Sequence, residues 1–161
     1  MFNFLKRKNK SLTVKAAADG QLQAITEVND DVFSTKMLGD GYAIVPTSGH
    51  IYAPIAGKIT TVFPTKHAIG IRSDQGLEVL IHLGLDTVEL KGLPFNSAVN
   101  EGQEVKAGDL LSVMDLSLLR AQGYDPTVIV VYTNMDLLNH LSELLPQTVQ
   151  HLADVQILAF K

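Results

Sequence analysis

The chain contains no cysteine. Disulfide bonds, thiolate metal sites and cysteine nucleophiles are therefore excluded. The sequence also has no apolar run near the roughly 18 residues that a membrane span needs. It lacks any Gly-x-x-x-x-Gly-Lys-Ser/Thr loop, the pattern that cradles the phosphates of ATP. These absences lead us to expect a soluble, cytoplasmic protein that does not hold ATP in such a loop.

Positive charge is scarce beyond the first ten residues. The formal net charge is −4, and Lys6, Arg7, Lys8 and Lys10 all lie at the start of the chain. The other residues carry 9 basic and 17 acidic side chains, a net charge of −8. A nucleic-acid-binding domain carries its positive charge on the folded part, so we expect no nucleic-acid partner.

The first twelve residues form a segment of their own in composition. Phe2, Phe4 and Leu5 precede the basic residues, whereas in a secretory signal the charges come first. We predict a flexible basic tail over residues 1–12. Two interpretations stay open for it: a solvated extension, or a weak amphipathic element whose residues 2–10 contact a membrane surface.

Closely spaced turn signals divide the rest of the chain into short β-prone runs, a spacing typical of sandwiches and barrels. With 161 residues, 46% of them apolar, the chain can bury the core of one domain. We predict an all-β antiparallel sandwich over residues 13–161, with Greek-key-like connections, two similar strand-turn units at 16–22 and 53–59, and one or two short helices. The predicted strands include 21–25, 42–46, 51–53, 58–63, 68–72, 78–83, 109–114 and 127–132, and the predicted helices are 117–122 and 135–145.

One histidine, His82, interrupts an apolar run at residues 79–83, just before Gly84. The run has the pattern of a strand buried on both faces. Histidine titrates near neutrality, so at this place it can be a nucleophile, a base or a ligand. The alternative is a packed histidine with a single hydrogen bond.

A second histidine, His67, begins the preceding alternating segment, which is followed by a turn signal at residues 73–76. A four-residue loop would pair Arg72 with Leu77 and place His67 directly opposite His82. Opposed residues have Cβ atoms roughly 4.5–5.5 Å apart, so the two imidazoles would meet on one face. A three-residue loop would instead shift the register and separate them.

Four kinds of function are compatible with such a pair. In a zinc peptidase the two histidines would need a third ligand, and no His-x-His pair accompanies His82. A biotinyl- or lipoyl-like carrier is suggested by the turn at residues 99–111, but no lysine stands in the required setting. A non-catalytic binding module would use the pair as a buried polar contact. In phosphoryl transfer, one neutral imidazole attacks phosphorus while the other stabilises the phosphoryl oxygens.

The segments 32–46, 52–57, 65–68, 79–92, 101–109 and 133–136 together carry a family resemblance. The chain resembles the IIA domain of the glucose/sucrose branch of the bacterial sugar phosphotransferase system, over about residues 16–161. The resemblance implies a β-sandwich phosphotransferase component without a cofactor. His82 then matches the phosphorylated histidine, His67 the second active-site histidine, and Thr65 a residue that hydrogen-bonds the ring of His67. The implied partners are HPr as phosphoryl donor and a IIB domain of a sugar permease as acceptor.

Two further expectations concern the second shell and the surface of this site. We expect the Gly84 carbonyl to hold one ring nitrogen of His82, and no resident metal, although the two histidines could bind zinc adventitiously. An acidic rim around an apolar patch would suit a basic, partly apolar partner such as HPr. The predicted partner-binding residues are Asp30, Asp31, Val32, Phe33, Leu38, Asp86, Val88 and Glu89.

Overall fold

The computed structural model describes residues 10–161, which form three antiparallel sheets. The all-β class and the scarcity of helix are confirmed. No helix among residues 10–161 combines the length and the apolar character needed to cross a bilayer. The strands are β1 (Ser11–Lys15), β2 (Gly20–Ala24), β3 (Gly41–Pro46), β4 (His50–Tyr52), β5 (Gly57–Val62), β6 (Ala68–Arg72), β7 (Glu78–Leu83), β8 (Phe95–Ser97), β9 (Glu104–Val105), β10 (Leu110–Met114), β11 (Val128–Tyr132), β12 (Leu138–Leu141), β13 (Thr148–Val149) and β14 (Asp154–Phe160).

The largest sheet has eight strands in the order β13-β2-β3-β11-β7-β6-β5-β9. Strand β7 lies inside it, between β11 and β6. Two three-stranded sheets, β1-β14-β12 and β4-β10-β8, complete the described fold. The two similar strand-turn units lie side by side, because the Lys15 N–H donates to the Pro54 carbonyl and the Tyr52 N–H to that of Ala17.

The two faces of β7 have different surroundings. Val79, Ile81 and Leu83 point into the main hydrophobic core. Leu80 lies on the other face and packs against a second, smaller cluster, and His82 shares that face because side chains alternate along a strand. The expectation of a strand buried on both faces is therefore wrong for the side of His82, which is only half-buried. The small cluster consists of Ile25, Val28, Phe33, Ala43, Leu85, Ile129 and Val131.

Among residues 10–161 the α-helices are short: α1 (Asp31–Ser34) and α2 (Leu116–Ala121). Each begins after an aspartate, Asp30 or Asp115, whose side chain accepts a backbone N–H of the first turn. Three 3-10 helices cover Ile25–Glu27, Thr87–Leu90 and Met135–Leu137. The helix predicted over 117–122 is confirmed within one residue.

The helix predicted over 135–145 is wrong. Only Met135–Leu137 is helical, as a single 3-10 turn, and β12 follows directly. Strand β12 pairs with β14 through Leu138 opposite Phe160. A helix of this length is only marginally stable by itself. Pairing with β14 satisfies the backbone hydrogen bonds of this segment instead, and this tertiary contact outweighs the helical spacing of the leucines.

The start of the described chain differs slightly from the expected boundary. Ser11 and Leu12, which the sequence assigns to the tail, already pair with β14. The remainder of the predicted tail, residues 1–9, lies outside the described residues.

Candidate active site

His82 lies near the end of β7, where its ring is held by the backbone two residues further on. Nδ1 of His82 is 2.7 Å from the Gly84 carbonyl oxygen. A carbonyl only accepts, so Nδ1 carries the proton and Nε2 keeps its lone pair. The expected role of Gly84 in holding this ring nitrogen is therefore seen in the geometry.

Gly84 allows this contact because the chain turns sharply there. Its φ is +78°, and a Cβ would lie 2.6 Å from Cγ2 of Thr87 and 3.0 Å from the Asp125 carbonyl oxygen. Both the left-handed backbone and the close approach exclude a larger residue. The chain stays irregular after the turn, since Asp86 also has a positive φ of 58°.

His67 lies beside His82, but the strand pairing that places it there differs from the predicted pairing. The register is shifted by one residue, because Ala68, not His67, lies opposite His82. The hairpin loop is the shorter one: the Ser73 N–H donates to the Leu77 carbonyl, so Leu77 faces Ser73 instead of Arg72. The predicted pairing of Arg72 with Leu77 is wrong.

The two imidazoles nevertheless meet, with ring centroids 5.1 Å apart and planes at 77°. The reason is that β6 begins only at Ala68. His67 precedes the strand and follows Lys66, which has a φ of +59°, so the alternation of faces does not extend to it. Its backbone still accepts a hydrogen bond of 2.7 Å from the Leu83 N–H, which anchors it beside the end of β7.

Thr65 and two phenylalanines complete the surroundings of the rings. The Thr65 hydroxyl lies 2.6 Å from Nδ1 of His67, as the family resemblance implies. When this hydroxyl donates, the remaining proton of a neutral His67 is on Nε2. Phe63 stands edge-on to His67 at 5.2 Å, and Phe33 stands edge-on to His82 at 4.9 Å.

The surroundings of both histidines favour the neutral form of the ring. Burial lowers the pKa of His82 to about 4; the nearby His67 lowers it further, and the Gly84 hydrogen bond and Asp30 oppose the shift. Burial also lowers the pKa of His67, which is only 8% exposed. A neutral imidazole has a free lone pair, so this environment favours a nucleophile over an acid.

Phe33 differs from its predicted place on the surface. It is only 5% exposed, belongs to the small cluster beneath the site, and contacts His82 by its ring. Phe33 therefore supports the histidine and cannot form an exposed part of the rim. A helix of four residues gives too little periodicity to show from sequence which of its side chains points inward.

The other predicted rim residues lie on segments that flank the pair. Val32, Leu38 and Val88 are exposed, at 41%, 41% and 48%. Asp30 acts on His82 through its charge and also caps α1. The remaining acidic residues, Asp31, Asp86 and Glu89, are exposed.

Two details of the rim were not predicted. Glu89 accepts a hydrogen bond of 3.0 Å from the Tyr124 hydroxyl. Met37, exposed at 72% beside Leu38, extends the apolar surface after α1. Met37 directly precedes Leu38 in the sequence, and this adjacency to a predicted rim residue could have identified it.

The described residues offer the pair no third metal ligand. Among residues 10–161, no group of three or more His, Asp or Glu side chains is arranged to hold a metal ion. A catalytic zinc site normally has three protein ligands, so the zinc-peptidase interpretation has no structural support in this part of the chain.

Comparisons with known proteins agree with the geometry. A family model described as "phosphoenolpyruvate-dependent sugar phosphotransferase system, EIIA 1" matches residues 12–138. The "glucose permease IIA" of Mycoplasma capricolum has a similar structure, with a TM-score of 0.84 and 42% identity, over 93% of this chain and 97% of that one.

Two longer proteins are also similar in sequence. The glucose-specific EIICBA component of Streptococcus pneumoniae is 49% identical over 134 residues, which are 83% of this chain and 18% of that protein. The beta-glucoside-specific EIIBCA component of Bacillus subtilis is 50% identical over 117 residues, 73% of this chain and 19% of that protein. The chain thus spans less than a fifth of the length of these two relatives.

The match of the family model over most of the chain, together with the fold shared with the Mycoplasma capricolum protein, decides between the four functions compared above. The chain belongs to the EIIA 1 family of the phosphoenolpyruvate-dependent sugar phosphotransferase system and is a phosphotransferase component of that system.

Proposed function

We propose that His82 carries the phosphoryl group on Nε2. The observation that carries this proposal is the 2.7 Å hydrogen bond from Nδ1 to the Gly84 carbonyl, which leaves Nε2 as the only ring nitrogen with a lone pair. The lone pair attacks phosphorus, and the nitrogen–phosphorus bond forms as the bond from phosphorus to the donor breaks. The donor leaves with that electron pair.

His67 acts in this proposal as a donor to the phosphoryl oxygens. Its Nδ1 is occupied by the Thr65 hydroxyl at 2.6 Å, so a neutral ring with this hydroxyl donating carries its proton on Nε2. Edge-to-face packing on His82 brings that ring close to any group bound to His82. Negative charge redistributes on the phosphoryl oxygens during transfer, and a positioned donor stabilises it there. Positioning and electrostatics supply the catalysis, so the step needs no resident cofactor.

The partners follow from the family and from the rim. We propose HPr as the phosphoryl donor and a IIB domain as the acceptor. The names EIICBA and EIIBCA of the two longer relatives support a B unit as the neighbour of an A unit. The exposed Asp31, Asp86 and Glu89 beside the apolar Val32 and Val88 suit a partner with a basic, partly apolar face.

The place of action follows from the same partners. We propose that the chain works in the cytoplasm, in contact with the membrane only through a permease or through its basic first residues. The similarity to a Mycoplasma capricolum protein named as a glucose permease IIA supports the first of these contacts.

The experiment is a phosphate-uptake assay read by intact mass. The chain is incubated with enzyme I, HPr and phosphoenolpyruvate, and the expected product carries one acid-labile phosphoryl group, mapped to His82 by peptide fragmentation. His82→Ala should gain none. The matched control is His140→Ala, which replaces an exposed histidine of β12 and should gain one. A phosphoryl group on another residue, or none on the unaltered chain, would contradict the proposal.

A further inference from the structure

Two peptide planes meet at Gly84, and each is fixed by hydrogen bonds at both of its ends. In the plane between Leu83 and Gly84, the Leu83 carbonyl accepts from the Thr87 hydroxyl at 2.5 Å, and the Gly84 N–H donates to the Thr127 carbonyl at 2.9 Å. The ends of a trans peptide point in opposite directions, so two such bonds determine how the plane is rotated.

The second plane, between Gly84 and Leu85, carries the contact to the nucleophile. Its carbonyl accepts from Nδ1 of His82 at 2.7 Å. Its N–H, on Leu85, donates to the Asp125 carbonyl at 2.9 Å. A rotation of this plane would break both bonds together, and it would remove the acceptor that keeps the proton on Nδ1.

The Asp125 carbonyl is itself held by a local turn. The carboxylate of Asp125 accepts from the Thr127 N–H at 2.9 Å and from the Thr127 hydroxyl at 2.6 Å. Such an Asx turn orders the backbone in which it occurs. It thereby orders the segment that supplies the carbonyls of residues 125 and 127 to the turn at Gly84.

The two threonine side chains in this network have little access to water, whereas Asp125 is partly exposed. Thr87 is 0% exposed and Thr127 is buried as well, so water does not readily replace the hydroxyl of Thr87 if it is removed. The Leu83 carbonyl would then lose a buried partner, which favours rotation of its peptide plane. Neither Thr87 nor Asp125 contacts an imidazole by a hydrogen bond.

We propose that Thr87 and Asp125 are positioning residues for His82: they fix the two peptide planes at Gly84, so that the Gly84 carbonyl stays on Nδ1 and Nε2 stays free to attack. The inference rests on the proposed role of His82 as phosphoryl acceptor. In metal sites, removal of a group that orients a histidine typically costs about 10–100-fold in activity or affinity, and a loss of that order in the rate of phosphoryl uptake is expected here.

The test compares two disruptive and two conservative variants. Thr87→Val and Asp125→Ala remove the hydroxyl and the Asx turn, whereas Thr87→Ser and Asp125→Asn keep an oxygen that can make the same bonds. The tautomer of His82 is read from long-range proton–nitrogen correlation spectra of the unphosphorylated protein, with His82→Gln used to assign the signal. The rate of uptake from phospho-HPr is measured in parallel, and Thr148→Val, on the exposed edge strand β13, is the matched control.

The unaltered chain should show the proton on Nδ1. Thr87→Val and Asp125→Ala should show a mixture of tautomers and slower uptake, and the two conservative variants should resemble the unaltered chain. If Thr87→Val does not fold, Asp125→Ala provides the same test by itself, because Asp125 is partly exposed. A proton on Nε2 in the unaltered chain, or slower uptake with an unchanged tautomer, would overturn the inference.

The tautomer measurement also separates this inference from the proposed function. If neither the unaltered chain nor any variant takes up a phosphoryl group, the proposed function is wrong. A tautomer that still shifts in Thr87→Val and Asp125→Ala would then support the positioning role all the same.

Discussion

The rings of His67 and His82 meet edge to face, with 5.1 Å between their centroids and 77° between their planes. Each ring has its Nδ1 engaged, one by Thr65 and the other by the Gly84 carbonyl. The two partners differ in chemistry, because a hydroxyl donates or accepts whereas a carbonyl only accepts. The pair is therefore asymmetric: the tautomer of His82 is fixed by its carbonyl partner, whereas His67 can either donate to or accept from the hydroxyl of Thr65.

This asymmetry predicts different losses for different substitutions. His67→Ala should still take up a phosphoryl group on His82, but more slowly, because only a charge-stabilising donor is lost. Loss of one such donor typically costs on the order of 10²–10³ in rate. Thr65→Ala should cost less, since the donor survives and only its orientation suffers. The measurement is a transfer time course from phospho-HPr, and uptake by His82→Ala but not by His67→Ala would reverse the two assignments.

The surface around the pair gives a second prediction. Val88→Ala should weaken HPr binding by about 1 kcal/mol, the level that marks an energetically important interface residue, which is about five-fold in Kd. The free energy of unfolding of Val88→Ala should differ little from that of the unaltered chain, because Val88 is 48% exposed. Association should slow as salt rises, since the acidic rim attracts a basic partner. Ile157→Ala, exposed on β14, is the matched control, and an equal loss in both variants would speak against a docking role for Val88.

Phe33, unlike Val88, is buried, so we expect its replacement to change the stability of the fold. Phe33→Ala should lower the free energy of unfolding by about 3–5 kcal/mol, the usual range for a buried phenylalanine, and the ring of His82 should lose its edge-on neighbour. Denaturant titrations beside the binding measurements separate the two kinds of residue. A Phe33→Ala variant as stable as the unaltered chain would mean that the small cluster contributes little to the fold.

Local patterns predicted the parts of the fold that local chemistry decides. Strands β6 and β7 follow from their apolar runs and from the turn signal between them, and their ends agree with the predicted 68–72 and 78–83. The loop between them was harder to predict, since the same turn residues fit loops of three or four residues. Gly76, with a φ of +91°, closes the shorter one, as in hairpins with a left-handed third loop residue.

Features that depend on distant segments were not predictable in this way. The leucines at 137–145 have helical spacing, yet Leu138 pairs with Phe160 from the far end of the chain. The meeting of His67 and His82 was predicted for the wrong reason, because a left-handed Lys66 displaces His67 from the strand pattern. Irregular backbone of this kind is typical of functional sites and leaves little trace in periodicity.

The first residues give a fourth prediction, which concerns a membrane surface. If residues 2–10 contact anionic lipid, vesicles containing anionic lipid should recruit the full chain more strongly than a version that starts at Ser11, the first residue of β1. The effect should be at most about 1 kcal/mol per basic residue and should vanish at high salt. Sedimentation with anionic and neutral vesicles is the measurement. Equal recruitment of both versions to anionic vesicles would mean that the segment is only a solvated extension.

The last prediction concerns pH and begins with the titration of His82 itself. Its pKa of about 4 in the folded chain keeps the ring neutral from about pH 8 down to about pH 5, so Nε2 keeps its lone pair over this range, as the proposed function requires. A titration of the ring followed by its nitrogen shifts should show one transition near pH 4. A transition near the ordinary value of about 6.5 would mean that burial and the neighbouring His67 do not hold the ring neutral.

The same shift links pH to stability. Unfolded His82 takes up a proton near pH 6.5, whereas the folded ring stays neutral until about pH 4. Between these values the unfolded state binds more protons, so stability falls as pH falls, with a slope of at most about 1.4 kcal/mol per pH unit for one group. Above pH 6.5 both states are neutral, and well below pH 4 both are protonated, so the slope vanishes at either end. His82→Gln should lose this contribution, whereas the lowering of the His67 pKa by burial is present in both chains. Denaturant titrations from about pH 7.5 to about pH 4, with His140→Gln as the matched control, should therefore show the unaltered chain losing stability faster than His82→Gln. Parallel curves for these two chains would contradict the link between the burial of His82 and its neutral state.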